Sequence, residues 1–467
     1  MLFTNHSGWG CEEASRKYPP APGVTSGLGG GVAPVVAEPL EGNLFVAVYP
    51  PFSVWSSKEI EAAKATFNRA RLLRDQPFGL YVHVPFCVHR CQYCYYRSYA
   101  GQTERTIDEY VDAVLIELLS WTDRHWLAGL AADFVYVGGG TPTLLDPKAL
   151  QRLLSGIDRR MPRASTAEVT VECAPRSTTR MRLRVLRDAG VTRLSLGVQE
   201  LDDAVLKCND RVHRVADALR ALAEIRRAGF ANVNVDLIAG LPGQTDRTFE
   251  RSLDRLLESQ PDSVTIYPLE IPRNTPLACR LRDETLVTQP ASWEEKRGRI
   301  RRAFERLEAC GYQMRSAYAA VRDPRRHGFQ YQDLQYRGAD FLGIGVSAFS
   351  YLGGIHCQNE ASLDRWSQAV GKGRLPLKRA HVLSPEERLV RELVLQLKLG
   401  RADLSLLEER HGVDVRNRFA EPLAALSARG LLVVDCGSIT LTRDGLLHAD
   451  RLIQELYLPQ HRGQEYW

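Results

Sequence analysis

Three cysteines stand close together in the run Tyr81-Val-His-Val-Pro-Phe-Cys-Val-His-Arg-Cys-Gln-Tyr-Cys94. The β-rich residues from Gly79 to Val84 read as a strand that Pro85 ends, so Cys87, Cys91 and Cys94 fall in the loop directly after it. Soft thiolates spaced C-x3-C-x2-C on one loop can hold three corners of a cubane iron–sulfur cluster. The fourth iron then lacks a protein thiolate, and an open position on a metal centre is where chemistry happens, as at catalytic zinc. Zinc could use the same thiols with His83 or His89 as a fourth ligand. Structural zinc sites more often pair two C-x2-C knuckles, however, and the chain has no second one. A disulfide scaffold is a poor fit too. Ten cysteines in 467 residues are sparse, and the other seven, at 11, 173, 208, 279, 310, 357 and 436, are scattered singly.

Further polar residues sit where other apolar runs end. A run near 133–137 leads to Gly138-Gly-Gly-Thr-Pro-Thr143, whose consecutive glycines let backbone approach a ligand while Pro142 stiffens the turn. The run Val169-Thr-Val-Glu-Cys-Ala-Pro175 carries Glu172, Gly197-Val-Gln presents Gln199, Arg211 lies in the next turn, and Asn234-Val-Asp-Leu-Ile presents Asp236. Singly, each reads as a buried polar group satisfied by nearby backbone. Together they fall at the strand ends that also carry the cysteines. Backbone groups there suit an α-amino group and an adenine edge, a carboxylate suits ribose hydroxyls, and Arg suits a carboxylate.

The elements that position them alternate. Strands are expected near 79–84, 133–137, 168–172, 192–196, 232–238 and 263–268, with amphipathic helices between. Alternation implies a parallel sheet of at least six strands, α/β in class, best read as a partial (β/α) barrel over residues 44–375; a flat doubly wound sheet is the alternative. The first helix is marked by a Thr106/Glu109 capping pair and an apolar face of Ile107, Tyr110, Val111, Val114, Leu115 and Leu118. Residues 1–43, rich in Gly and Pro, read as a flexible extension. From residue 381 the pattern changes. Ser384-Pro385-Glu386-Glu387 starts a helix, helices follow at 403–410 and 415–428, and a hairpin runs through Leu431–Val434 and Ile439–Leu441. Over 381–460 this suggests a winged-helix domain serving as a lid or docking module.

Hydrophobic content of 44% and charged content of 25% are ordinary for a globular protein. A net charge of +5, from 61 basic and 56 acidic residues, is weak for a nucleic-acid binder, and the helical part of the C-terminal domain has no concentrated basic face. No apolar stretch approaches the ~20 residues that span a bilayer. Met1-Leu-Phe-Thr-Asn-His lacks the basic and apolar regions of a signal peptide, so neither nucleic acid nor membrane is expected as a partner, and a reducing cytoplasm is the expected location.

The segments Tyr81 to Cys87, Gly138 to Thr143, Arg193-Leu-Ser-Leu-Gly-Val-Gln199, Val235-Asp-Leu-Ile-Ala-Gly-Leu-Pro-Gly-Gln-Thr245 and Gly343-Ile-Gly-Val-Ser-Ala-Phe-Ser350 resemble the oxygen-independent coproporphyrinogen III oxidase family of radical S-adenosylmethionine enzymes, over roughly residues 45–455. The resemblance implies a [4Fe–4S] cluster on Cys87, Cys91 and Cys94, with S-adenosylmethionine chelating the unique iron and a second molecule alongside. By the same resemblance Tyr81, Gly139 and Glu172 contact the first molecule; Gly140, Thr141, Gln199, Arg211 and Asp236 contact the second; and Tyr93 neighbours the adenine. An external electron donor such as flavodoxin or ferredoxin is implied as well. Oxidases of the family carry a further cysteine where this chain has Tyr96, and a Tyr-Thr-Thr-Gln stretch where it has Tyr331-Gln-Asp-Leu-Gln335. Haem-trafficking relatives carry His-Asn…Tyr-Trp where it has Gln332-Asp333…Tyr336-Arg337. With both signatures absent and the two-molecule scaffold retained, the expectation is the alkylating branch. Such an enzyme would transfer a methyl or methylene group to an sp2 carbon of an aromatic or heterocyclic small molecule. Decarboxylation of a tetrapyrrole propionate and haem chaperoning are the alternatives.

Overall fold

The apolar runs and the helices between them build a twelve-stranded sheet in the computed structural model, which describes residues 38–42, 48–69, 71 and 76–464. Strands β1 (Phe78–Val84), β2 (Ala132–Gly139), β3 (Arg163–Cys173), β4 (Arg193–Gln199), β5 (Asn232–Ala239) and β6 (Ser263–Pro268) lie side by side in that order and pair in parallel. Helices α1 (Glu104–Thr122), α2 (Pro147–Arg160), α3 (Arg180–Asp188), α4 (Asp203–Cys208), α5 (Val215–Arg227) and α6 (Asp246–Ser259) make the crossovers, and α7 (Trp293–Ala309) follows β6. Along these strands apolar residues that pack against the helices alternate with polar ones on the interior face, as Thr170 and Glu172, Ser195, and Asn234 and Asp236 do between their apolar neighbours. Leu80, Val82, Val135, Val137, Val171, Leu194, Leu196 and Val235 form the core against Val111, Val114, Leu118 and Trp121 of α1 and the later helices.

All six expected parallel strands are present. The sheet is larger than expected because short strands extend both ends. Beyond β6 come β8 (Ala319–Val321) and β7 (Gln313–Met314), both antiparallel to their neighbours. Beyond β1 come β9 (Asp340–Ile344), parallel to β1, and then the antiparallel β10 (Phe349–Leu352), β11 (Ile355–Asn359) and β12 (Leu377–Val382). The full order is β12-β11-β10-β9-β1-β2-β3-β4-β5-β6-β8-β7; β12 and β7 do not pair, so the sheet is an open partial barrel.

Three boundaries differ from expectation. The cap of α1 is Thr103, whose side chain accepts from Thr106 N–H, while Glu109 instead pairs with Arg105 at 2.7 Å. The sheet continues through Val382 rather than stopping near 375. The expected extension lies outside the described residues as far as 37, but residues 38–42 are docked: Trp293 donates to Pro39 O at 3.0 Å, Gly42 N–H to Ile271 O at 2.9 Å, and Glu38 pairs with Arg297 at 2.7 Å.

Helix α8 (Gln330–Tyr336) packs inside the concave face against β2 and β3. Helix α9 (Pro385–Lys398) opens the C-terminal domain with the expected box, Ser384 and Glu387 each bonding the other's backbone N–H. It is buried nearly all round, as a helix between two bodies must be. The Arg391 guanidinium lies 3.5 Å from the ring centroid of Tyr351 on β10, and Ala317 N–H, just before β8, donates to Lys398 O at 2.9 Å. The helix thus touches both arms of the open sheet. The hairpin Leu432–Val434 with Ser438–Leu441 forms the expected wing, joined by a third strand, Arg401–Asp403.

Candidate active site

The cysteine loop is pinned at both ends. Phe86 and Cys87 pair in parallel with Tyr99 and Ala100, and Cys94 N–H closes a turn on Cys91 O at 3.1 Å. Between them, the buried Gln92 side chain donates to Cys208 O at 2.9 Å and Asn209 Oδ1 at 3.1 Å, accepts from Arg280 at 2.9 Å, and its carbonyl receives Leu277 N–H at 2.8 Å. No spacing in the sequence announces Gln92, because its partners lie more than a hundred residues away.

The glycine turn after β2 clasps this loop. Gly140 N–H donates to Val84 O and Thr141 N–H to Phe86 O, both at 2.8 Å. Gly139 has φ +107°, and a Cβ there would lie 2.3 Å from the His83 ring; a Cβ on Gly140 would lie 2.8 Å from backbone atoms of Val84, Pro85 and Phe86. The turn therefore needs glycine for close approach. Thr141 Oγ1 lies 3.7 Å from Cys87 Sγ.

Glu172, at the end of β3, accepts from the Tyr136 hydroxyl at 2.6 Å and from Gly139 N–H at 2.9 Å, and burial pushes its carboxyl up to about 7. Tyr81 stacks beside Tyr136 at 5.9 Å, which brings Tyr81, Gly139 and Glu172 into one neighbourhood. The Tyr81 hydroxyl meets His83 Nδ1 at 2.9 Å and His83 Nε2 meets Arg97 O at 3.2 Å. Both nitrogens of His83 are thus engaged, and burial lowers its pKa to about 4, leaving it a neutral spacer under Gly139 rather than a ligand beside the thiols.

The second group divides. Gln199 sits at φ +69° where β4 bulges against β5, and Arg211 bridges to the same turn, donating from Nη2 to Gly197 O at 2.7 Å and from Nη1 to Cys91 Sγ at 3.2 Å. Burial opposes the charge of Arg211, but Tyr93 and Cys91 beside it hold its pKa above the ordinary value. Asp236 accepts from Ser195 at 2.9 Å and Asn234 at 2.7 Å; burial raises its pKa, and these donors and Arg193 pull it down. Tyr331 of α8 stacks on Tyr136 at 4.3 Å with Phe134 edge-on at 5.4 Å. This aromatic wall was legible only in part, since β register alone puts Tyr81 opposite Tyr136 but says nothing of α8.

A [4Fe–4S] cluster with S-adenosylmethionine fits these residues on three observations. The donor set is three soft thiols on one loop. Burial pushes the Cys94 thiol up to about 12 and raises that of Cys87, a cost that coordination to iron removes by holding thiolates directly. Finally, Arg211 Nε is buried with no hydrogen-bond partner in the protein, leaving a donor for a polar ligand. Among the described residues no helix is long and apolar enough to cross a membrane.

Residues 81–256 match the Radical SAM superfamily and residues 383–448 the HemN C-terminal domain. The heme chaperone HemW of Mycobacterium tuberculosis (strain H37Rv) is 33% identical over 385 residues, 82% of this chain and 95% of that protein. The oxygen-independent coproporphyrinogen III oxidase of Pseudomonas aeruginosa is 28% identical over 425 residues, 86% of this chain and 91% of that protein. The solved coproporphyrinogen III oxidase (HemN) from Escherichia coli superposes with a TM-score of 0.77 at 27% identity, covering 89% of this chain and 98% of that one.

These relatives span most of the chain and carry the names of an oxidase and a haem chaperone, which overturns the expected transfer of a methyl or methylene group. That expectation leaned on two missing substrate motifs. A scaffold can rebuild its substrate wall from other side chains, so such absences do not mark a separate branch. With the cysteine loop, the glycine clasp and the C-terminal domain all in place, the chain belongs to the HemN-like family of the radical S-adenosylmethionine superfamily.

Proposed function

We propose that the chain uses a [4Fe–4S] cluster and S-adenosylmethionine to act on a tetrapyrrole, by oxidative decarboxylation of a propionate side chain. The observation that carries this reading is the stack of flat rings, Tyr81, Tyr136 and Tyr331, beside the glycine turn that clasps the thiol loop, which suits a large planar substrate. When bound, the cluster and cofactor supply a carbon-centred radical able to take hydrogen from an unactivated carbon. The propionate then loses one hydrogen atom, carbon dioxide and one electron to become a vinyl group, so a one-electron acceptor completes the balance. A small external reductant, flavodoxin or ferredoxin, fills the donor role in this proposal.

The protein's part is orientation and exclusion of water. Glu172, held by Tyr136 and Gly139, would accept from the cofactor's amino group, and Tyr81, Gly139 and Tyr93 would help hold the cofactor. We propose one S-adenosylmethionine per chain.

Haem carriage is the second reading, favoured by the 33% identity to a heme chaperone and by Tyr96 standing where the family's oxidases have a further cysteine. Two anaerobic assays separate the two: incubation of the dithionite-reduced protein, freed of excess reductant, with S-adenosylmethionine, coproporphyrinogen III and a one-electron acceptor, and titration of the same protein with haem. Release of 5′-deoxyadenosine together with carbon dioxide and a vinyl product supports decarboxylation. Stoichiometric haem binding with no such release overturns it in favour of carriage. Reconstituted protein should hold about four irons per chain, as a cubane requires. The Cys87, Cys91 and Cys94 triple alanine variant should hold none.

A further inference from the structure

Arg211 makes a contact that cofactor binding alone does not explain. Its Nη1 donates to the sulfur of Cys91 at 3.2 Å, and its Nη2 is anchored on Gly197 O at 2.7 Å. Cys87 and Cys94 have different surroundings: Cys87 faces the neutral Thr141 hydroxyl at 3.7 Å, and Arg90 reaches only the backbone oxygen of Cys94, at 3.0 Å. Among the described residues, the guanidinium is therefore the one full positive charge hydrogen-bonded to a thiol of the trio.

We propose that Arg211 sets the reduction potential of the cluster through its charged hydrogen bond to Cys91, and so serves as a positioning and tuning residue for electron entry. The proposal rests on the cluster reading above. Reduction adds one electron, from an external reductant, and transfers no atom; the added negative charge spreads over iron and ligand sulfur. Hydrogen bonds to cluster sulfurs are an established lever on potential, and a fixed positive charge in a buried site favours the more negative state. Both act at Cys91 and both raise the potential. The anchor on Gly197 O matters equally, because an untethered guanidinium would swing to solvent. Arg is suited to this, since its charge persists at any working pH and its fork can hold sulfur and carbonyl together.

The test is an anaerobic redox titration of reconstituted parent, Arg211→Gln, Arg211→Met and Arg211→Lys, read by electron paramagnetic resonance, with iron content measured in parallel. The expected result is a fall of at least tenfold in the reduction equilibrium constant for Gln and Met, about 59 mV for a one-electron couple. Lys, which keeps the charge, should lie closer to the parent than either. Should one neutral variant assemble poorly, the other carries the comparison. Neutral variants with four irons and a potential within twofold of the parent overturn the proposal while leaving the cluster reading intact. A parent with no reducible cubane signal overturns both.

Discussion

Gly140 has no room for a methyl group. A Cβ there meets backbone atoms of Val84, Pro85 and Phe86, which cannot rotate away as a side chain tip could. Gly140→Ala should therefore push the cysteine loop off its clasp, costing about 1–3 kcal/mol by overpacking and lowering retained iron more than it lowers helix content. Urea melts beside iron assays will show the split; full iron occupancy in the variant would count against the clasp. Glu117 behaves differently. It accepts from Asn359 at 2.7 Å, and from Gly345 N–H and Trp366 Nε1, both at 2.9 Å, while burial pushes its carboxyl up to about 7. Glu117→Gln turns an amide donor toward these donors and should cost about 1–3 kcal/mol. In the parent the fold holds this proton more tightly than the unfolded chain does. Its contribution is therefore full below about pH 4.5 and is lost as pH climbs through about 7. The parent's advantage over the variant should narrow between pH 4.5 and 7 and then level off; a gap that widens with pH would refute the assignment. At this scale the sequence was legible where chemistry is local. The cysteines, Glu172 and the glycine turn declare themselves by spacing, while Gln92 and Glu117 acquire their roles only from partners brought by distant segments.

Among the elements, the parallel strands were readable because each carries closely spaced Val, Leu or Ile on its helix-packed face, bounded by helical patterns on either side. Strand β9 was not, since Asp340 opens it and Gly343 interrupts it, and the short antiparallel arms carry no period long enough to register. The α1 cap was misplaced by three residues because Thr103 and Thr106 offer the same chemistry, and only the chain direction before Glu104 decides between them. Ser384 was unambiguous, with Pro at the first turn and Glu387 completing the box. Ser384→Ala should cost about 1 kcal/mol, within the range for cap removal, and Ser384→Gly less. Equal losses in thermal melts of the two variants would argue that the serine does something besides capping.

The whole molecule is closed by its ends. Tyr49 meets His461 at 2.7 Å and receives Leu458 N–H at 3.2 Å, while α9 touches both arms of the sheet. A chain ending at Val382 would bare Tyr318, Tyr336, Trp55 and Phe52, which now pack with Leu389, Leu393 and Leu397. It should run as aggregate in size exclusion with light scattering; a monodisperse monomer would mean the barrel needs no closure. The aromatic wall beside the glycine turn has a further consequence. Tyr331 belongs to α8, far along the chain from the 81–256 segment that holds the thiols, the glycine turn, Glu172 and Asp236. Descendants of one ancestor could therefore rewrite what they recognise by drift in a few late helical turns while inheriting the electron-handling half untouched. That division of labour makes it natural for lineages of this family to have parted into makers and carriers of tetrapyrroles without rebuilding the scaffold they share.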